Sequence, residues 1–450
     1  MFTVGKDYWF SHGPKTFSYI TGIVGSVLMV GSFQFVFANW RTMILEGDRD
    51  NCYYNDFCYR VFKHDIPFNL MISNLAYVIH GLILTICVWR LETKLYLQIQ
   101  DKFSGTARQQ AFLPDHVIIC PNATAHFFEG RIPNDNIRDS EKKKFIAEAM
   151  KKRYCFSIGY AFSWGLIFEG LFSTLYHFCP SRFTFQFDSA FMFIIAGLTV
   201  LMLFNGIEQN RCPSSENVKY PVGASNFFLF FIVPLFIFNY FGSLFNSDSG
   251  LNKVLQGFFF TLLVIWWFGV AYWAFRKLNT HRNIFCHEQQ KCRNAVNVIL
   301  FILGGVAVPL GLFIAFLFSD LAQFFLFACI VCSVTAILAK ARPWKKLSCC
   351  SGGKCNCSAP NAVEIFQGFF IFFTLIILVV AFGVFTLLPT TNKTSSPENS
   401  RYQNKECVIF DFFDWHDLWH FLSSFALLMG AFVVMFISSE TMHNDENAEG

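Results

Sequence analysis

Apolar runs of about 20 residues, the length that crosses a hydrocarbon core, recur along the whole of this 450-residue chain. They fall at roughly 17–39, 66–89, 154–178, 188–205, 222–245, 254–275, 294–316, 320–339, 362–388 and 416–438. Runs of that length without a polar face exclude soluble amphipathic helices. Charge content agrees: 15% of residues are charged, against about 25% in a soluble domain, and 60 are phenylalanine. The expected fold class is an all-α polytopic membrane protein, a bundle of about ten transmembrane helices.

An even number of spans returns both termini to one side. With that side cytosolic, 26 of the 35 Lys and Arg lie inside and nine outside, the bias expected of cytosolic loops. Residues 1–16 and 439–450 are then cytosolic ends of a bundle over 17–438, with cytosolic loops at 90–153 and 340–361 and an exterior loop at 389–415. The opening MFTVGKDYWFSHGPKT has no basic stretch followed by a short apolar core, so the first run is expected to act as its own insertion signal. The net charge of +4 identifies no partner.

Topology sorts the modification sites. The sequon at Asn392 is exterior and is a glycosylation candidate, whereas the one at Asn122 is cytosolic and is not. Cys52, Cys58, Cys179 and Cys407 fall in exterior loops, where disulfides form, and four cysteines permit three pairings. On the cytosolic side, SCCSGGKCNCS (348–358) reads as palmitoylated juxtamembrane cysteines before it reads as a zinc cluster. Cys286, His287 and Cys292 form a weaker metal candidate.

The chemistry gathers at the exterior ends of three spans. His416 and His420 are four apart at the start of the tenth span and project from one helix face. The third span ends EGLFSTLYHFCP, with Glu169, Ser173 and His177 on one stripe, and the fourth opens FQFDSAF, with Asp188. Singly, each has an ordinary reading as an interfacial histidine or a helix cap, and Asp414 and Asp417 suit the positive start of a helix. Jointly, His177, His416 and His420 are a metal triad from two spans, and imidazole ligands favour Zn²⁺. Zinc there would acidify a bound water, with Asp188 as proton acceptor and Ser173 as oxyanion donor. Lipid amide or ester hydrolysis is one reading, and a structural staple is the other. Glu169 and His80, both inside spans, read as buried hydrogen-bonded groups before they read as a proton relay.

Ser-x₃-His (173–177), Asp188 and His-x₃-His (416–420) resemble the CREST superfamily, which includes alkaline ceramidases and adiponectin-receptor-like proteins. STLYHFCP, FTFQFDSAFMFIIAGL, DRDNCYYNDFCY and ECVIFDFFDWHDLWHFLSS resemble, more closely, the systemic-RNA-interference-defective (SID) transmembrane family. The resemblance implies double-stranded RNA transport at the plasma or lysosomal membrane, and in some members cholesterol uptake. It also implies that His177, His416 and His420 hold zinc, with Ser173 and Asp188 beside it. By that resemblance the chain is expected to correspond to the last ten of the family's eleven spans, without its extracellular domain. Expected partners are the lipid bilayer, double-stranded RNA, and a sterol or other lipid, while homo-oligomerisation stays open. The nine exterior Lys and Arg are spread over four loops, whereas duplex RNA calls for clustered cations on its phosphates. The dense runs EKKKF (141–145) and KKR (151–153) face the cytosol, where they read as a flank for anionic lipid.

Overall fold

The structure, a computed structural model, describes residues 16–42, 52–53, 58, 67–103, 139–181, 184–205, 223–244, 250–280, 330, 333–334, 337, 362–388, 396–400 and 407–440. The expected span at 294–316, most of that at 320–339, Cys286, His287, Cys292, the cysteines of 348–358, and Asn122 and Asn392 lie outside the described residues. The described residues are nearly all helical and contain no strand, and their isolated bridge joins Ile409 to Phe413.

We number the main helices α1 (Thr16–Trp40), α2 (Phe68–Ser73), α3 (Leu75–Phe103), α4 (Asp139–Phe178), α5 (Phe185–Asn205), α6 (Ala224–Phe227), α7 (Val233–Leu244), α8 (Gly250–Thr280), α9 (Ala362–Leu387) and α10 (Trp415–Glu440). Seven spans among the described residues are long and apolar enough to cross a membrane: Thr16–Trp40, Phe68–Lys94, Cys155–Phe178, Phe185–Leu203, Ala224–Phe241, Gly368–Leu387 and Trp415–Met435. The expected span at 254–275 lies within α8, whose apolar stretch Gly257–Val270 is shorter. α3 and α4 run on into the expected loop at 90–153. Lipid contact ends where polar side chains begin, but backbone hydrogen bonds continue through helix-forming residues such as Leu91, Glu92 and Lys94.

Two spans are interrupted, each for a local reason. The second breaks at Asn74 between α2 and α3. There the Asn74 side chain donates to the Leu70 carbonyl at 2.7 Å, a side-chain partner of the kind that membrane helices use at breaks. The fifth widens into a π-helical turn, Phe228–Ile232, just before Pro234. Proline offers no N–H and its ring crowds the carbonyl four residues back, and a wider turn relieves both.

The chain forms two compact units, residues 1–231 with 332–450, and residues 232–331. In the second, α7 and α8 pack through Phe241 stacked on Phe259 at 4.6 Å and Phe238 tilted against Trp266. In the first, α4 is central and touches α1, α3, α5 and α10. Its most apolar stretch is 78% buried, against 17% for α1 and α9. The division follows side-chain size. α4 carries Gly159, Ala161, Ser163, Gly165 and Gly170, and small residues let helices approach where lipid supplies no hydrophobic drive. α9 instead turns Phe366, Phe369 and Phe372 outward. A Cβ at Gly170 would lie 2.8 Å from the Asn74 carbonyl oxygen, so only glycine admits α3 this closely. On its other side α4 meets α5 through rings, Phe172 on Phe191 at 5.3 Å and Phe168 on Phe191 at 5.2 Å.

Candidate metal centre

His177 sits in the last turn of α4 and is 2% exposed. Two residues on, Cys179 is disulfide-bonded to Cys52, and the Pro180 carbonyl accepts the Tyr53 N–H at 2.7 Å. A second disulfide joins Cys58 to Cys407, ahead of α10. Of the three pairings open to these cysteines, the structure therefore makes 52–179 and 58–407. The segment holding Cys52 and Cys58 ties the end of α4 to the approach of α10.

α10 begins with reciprocal caps. The Asp417 N–H donates to Asp414 Oδ1 and the Asp414 N–H to Asp417 Oδ2, each at 2.9 Å. This is a capping box written with two aspartates, and it starts the helix so that His416 occupies the first turn and His420 the second. Just before it, Phe410 and Asp411 take left-handed backbone (φ 56° and 53°) in the turn closed by the 409–413 bridge. Burial first, and then the neighbouring Asp417 carboxylate, push the Asp414 carboxyl up to about 7.

The three histidines converge. Ring centroids are 4.9 Å apart for His177–His416 and His177–His420, and 4.7 Å for His416–His420. One ligand atom from each falls within 4.8 Å of the others. His177 Nε2 and His416 Nε2 face each other at 3.3 Å. Four ligands at a zinc–nitrogen distance of about 2.0–2.1 Å sit about 3.3–3.4 Å from one another in a tetrahedron, so this pair already spans one edge. The donor set fits a zinc-like ion, with one position left for water or another group.

The other residues singled out in the sequence fall nearby in the fold but not in that cluster. Asp188 lies half-buried in the first turn of α5, outside the histidine group, and is an electrostatic neighbour of Glu169 and Tyr77. Ser173 is buried on α4, one turn before His177. Glu169 is buried, and its Oε2 has no hydrogen-bond partner among the described residues. His80 is half-buried with its ring against Phe425, and its Nδ1 likewise has none.

A polar ladder from α2 and α3 was not singled out in the sequence. Asn69 Nδ2 donates to Asp417 Oδ2 at 2.8 Å, Ser73 Oγ meets His420 Nδ1 at 2.7 Å, and the Tyr77 hydroxyl meets Ser423 Oγ. All six residues are buried. Partners on both helices ascend together, so the second span runs parallel to α10. Any two even-numbered spans of an alternating bundle run parallel. The signal in FNLMISNLAY (68–77) is a polar stripe, Asn69, Ser73 and Tyr77 at four-residue steps, on an otherwise apolar span.

The fold and this cluster define a class: a multi-pass helical membrane protein whose late span closes on earlier ones through histidine, disulfide and buried polar pairs. A family model described as dsRNA-gated channel SID-1 matches residues 137–447, which include all three histidines. The chain belongs to the SID-1 family. It is similar to SID1 transmembrane family member 1 of Mus musculus, 25% identical over 411 residues, 88% of this chain and 41% of that protein. The Homo sapiens protein of the same name is 24% identical over 422 residues, 88% of this chain and 41% of the relative. Cholesterol uptake protein 1 of Caenorhabditis elegans is 21% identical over 440 residues, 93% of this chain and 48% of that protein. The chain spans less than half the length of these relatives.

Proposed function

We propose that this chain is the membrane-embedded body of a double-stranded RNA uptake protein, and that its His177, His416 and His420 hold zinc at the exterior face. The observation that carries the RNA reading is the family match over residues 137–447. The nine exterior Lys and Arg are dispersed, and duplex binding depends on clustered cations. The role assigned to this chain is therefore passage through the membrane, not capture of the duplex. Sterol uptake is the second reading, favoured by the likeness to Cholesterol uptake protein 1 over 93% of the chain.

The metal reading is supported by the 3.3 Å approach of two imidazole nitrogens and the near-equilateral ring triangle. In this reading the ion joins α4 to α10, since His177 comes from one helix and His416 and His420 from the other. The plasma or lysosomal membrane is the proposed location.

Cells expressing the chain are given labelled duplex RNA and labelled sterol in parallel. RNA entry above the untransfected level supports the first reading, sterol entry alone transfers the chain to the second, and neither defeats both. Purified protein is expected to carry about one equivalent of zinc, lost in His177→Ala, and less than about half an equivalent in the parent sinks the metal reading.

A further inference from the structure

A neutral imidazole offers one lone pair to a metal, and the hydrogen bond at its other nitrogen decides which atom carries it. For His420 that bond goes to Ser73, whose Oγ lies 2.7 Å from Nδ1 with both residues buried. A serine hydroxyl has a single proton. Ser73 donates it to the Leu70 carbonyl at 3.0 Å. Its other polar neighbour, the Asp417 carboxylate, is also an acceptor. With the proton on either of these oxygens and not on His420 Nδ1, Ser73 faces His420 as an acceptor. Nδ1 therefore carries the ring hydrogen, and Nε2 keeps the lone pair for the cluster with His177 and His416.

We infer that Ser73 is a positioning residue of the metal centre, holding His420 in the tautomer that presents Nε2. Ser73 comes from a third helix that contributes no ligand itself. Its register is kept by a rung one turn to either side, Asn69 to Asp417 and Tyr77 to Ser423. The Tyr77 ring also packs edge-on against the His420 ring, with centroids 6.2 Å apart, and limits its rotation. A group that fixes both the tautomer and the orientation of a ligating histidine raises metal affinity without touching the ion.

This inference rests on the metal reading above, and the two fail differently. The experiment uses the full-length purified chain, with zinc affinity read by competition against a chelating dye. The visible absorption spectrum is recorded with Co²⁺ in place of zinc. Ser73→Ala is expected to weaken zinc binding about 10–100-fold and to change the cobalt spectrum, because loss of such a partner typically costs that much affinity. Ser73→Thr keeps the hydroxyl and is expected to restore both, a rescue that general loss of packing does not produce. Unchanged affinity and spectrum in Ser73→Ala overturn the inference, whereas full zinc binding by His177→Ala overturns the metal reading itself. Should Ser73→Ala fail to fold, the parent protein still decides the matter. With ¹⁵N-labelled histidine, a protonated Nδ1 at His420 supports the inference and a protonated Nε2 overturns it.

Discussion

Asn69 illustrates how a single side chain is judged in this bundle. It is fully buried and its amide donates to Asp417 Oδ2, which also caps α10 through the Asp414 N–H. Asn69→Ala removes one of the hydrogen bonds to a buried carboxylate and is expected to cost about 1.5–3 kcal/mol, the range for a bond to a charged group. The check is the chemical-denaturation midpoint in detergent. Asp414 adds a pH dependence in the metal-stripped protein. Its carboxyl is held up at about 7 in the fold against an ordinary value near 3.8, so the folded state binds the proton more tightly than the unfolded chain does. The contribution is therefore fully present below about pH 4 and is lost as pH rises through 7. Thermal melts across that range should show the decline, and Asp414→Asn, which can still cap α10, should flatten it. At this scale the histidines were legible and their supports were not. His416 and His420 declare themselves by four-residue spacing at a helix start, and topology adds His177. Ser73 and Asn69 look like any isolated polar residue in an apolar run until the facing helix is known.

Helices are where the sequence speaks most directly, and where it stops is informative. Most span ends among the described residues lie within a few positions of those expected from apolar runs, because lipid imposes the length. The extensions of α3 to Phe103 and of α4 back to Asp139 were not legible, since hydropathy marks where lipid ends and not where backbone pairing ends. The break at Asn74 was hidden for a related reason: hydropathy does not show that this side chain bonds the Leu70 carbonyl. Which helix is central can be reasoned from side-chain size, with α4 small-residue-rich and α9 phenylalanine-rich. Gly170 carries the sharpest test of that packing. In Gly170→Ala the new methyl meets the Asn74 carbonyl and the Val78 side chain at 2.8 and 2.9 Å. The carbonyl belongs to the backbone and yields little, so the substitution is expected to cost about 1–3 kcal/mol by overpacking. It should lower the melting temperature, whereas Gly430→Ala, with open space around the site, should not.

At the scale of the molecule, several described contacts that close the bundle join early sequence to late. Asn69–Asp417, Ser73–His420 and Tyr77–Ser423 are separated by 348, 347 and 346 residues, and Cys58–Cys407 by 349. His177 and His416 are 239 apart. No local pattern announces such pairs, which is why the cysteine pairing and the ladder had to be seen in the structure. Their consequence belongs to synthesis. A growing chain must place Asn69, Ser73 and Tyr77 in the bilayer long before the ribosome reaches residue 417, and in lipid an unsatisfied polar group costs several kcal/mol. The nascent protein is thus left with a polar seam whose partners, among the described residues, lie on its last described helix. A chain terminated at residue 413 keeps the seam open and lacks two of the three histidines. In a pulse–chase experiment it is expected to be degraded markedly faster than the full chain, and equal half-lives would show that the seam is tolerated. Arrival of α10 is the step at which an inserted polypeptide becomes a finished one, and a metal ion held as proposed above would mark its completion.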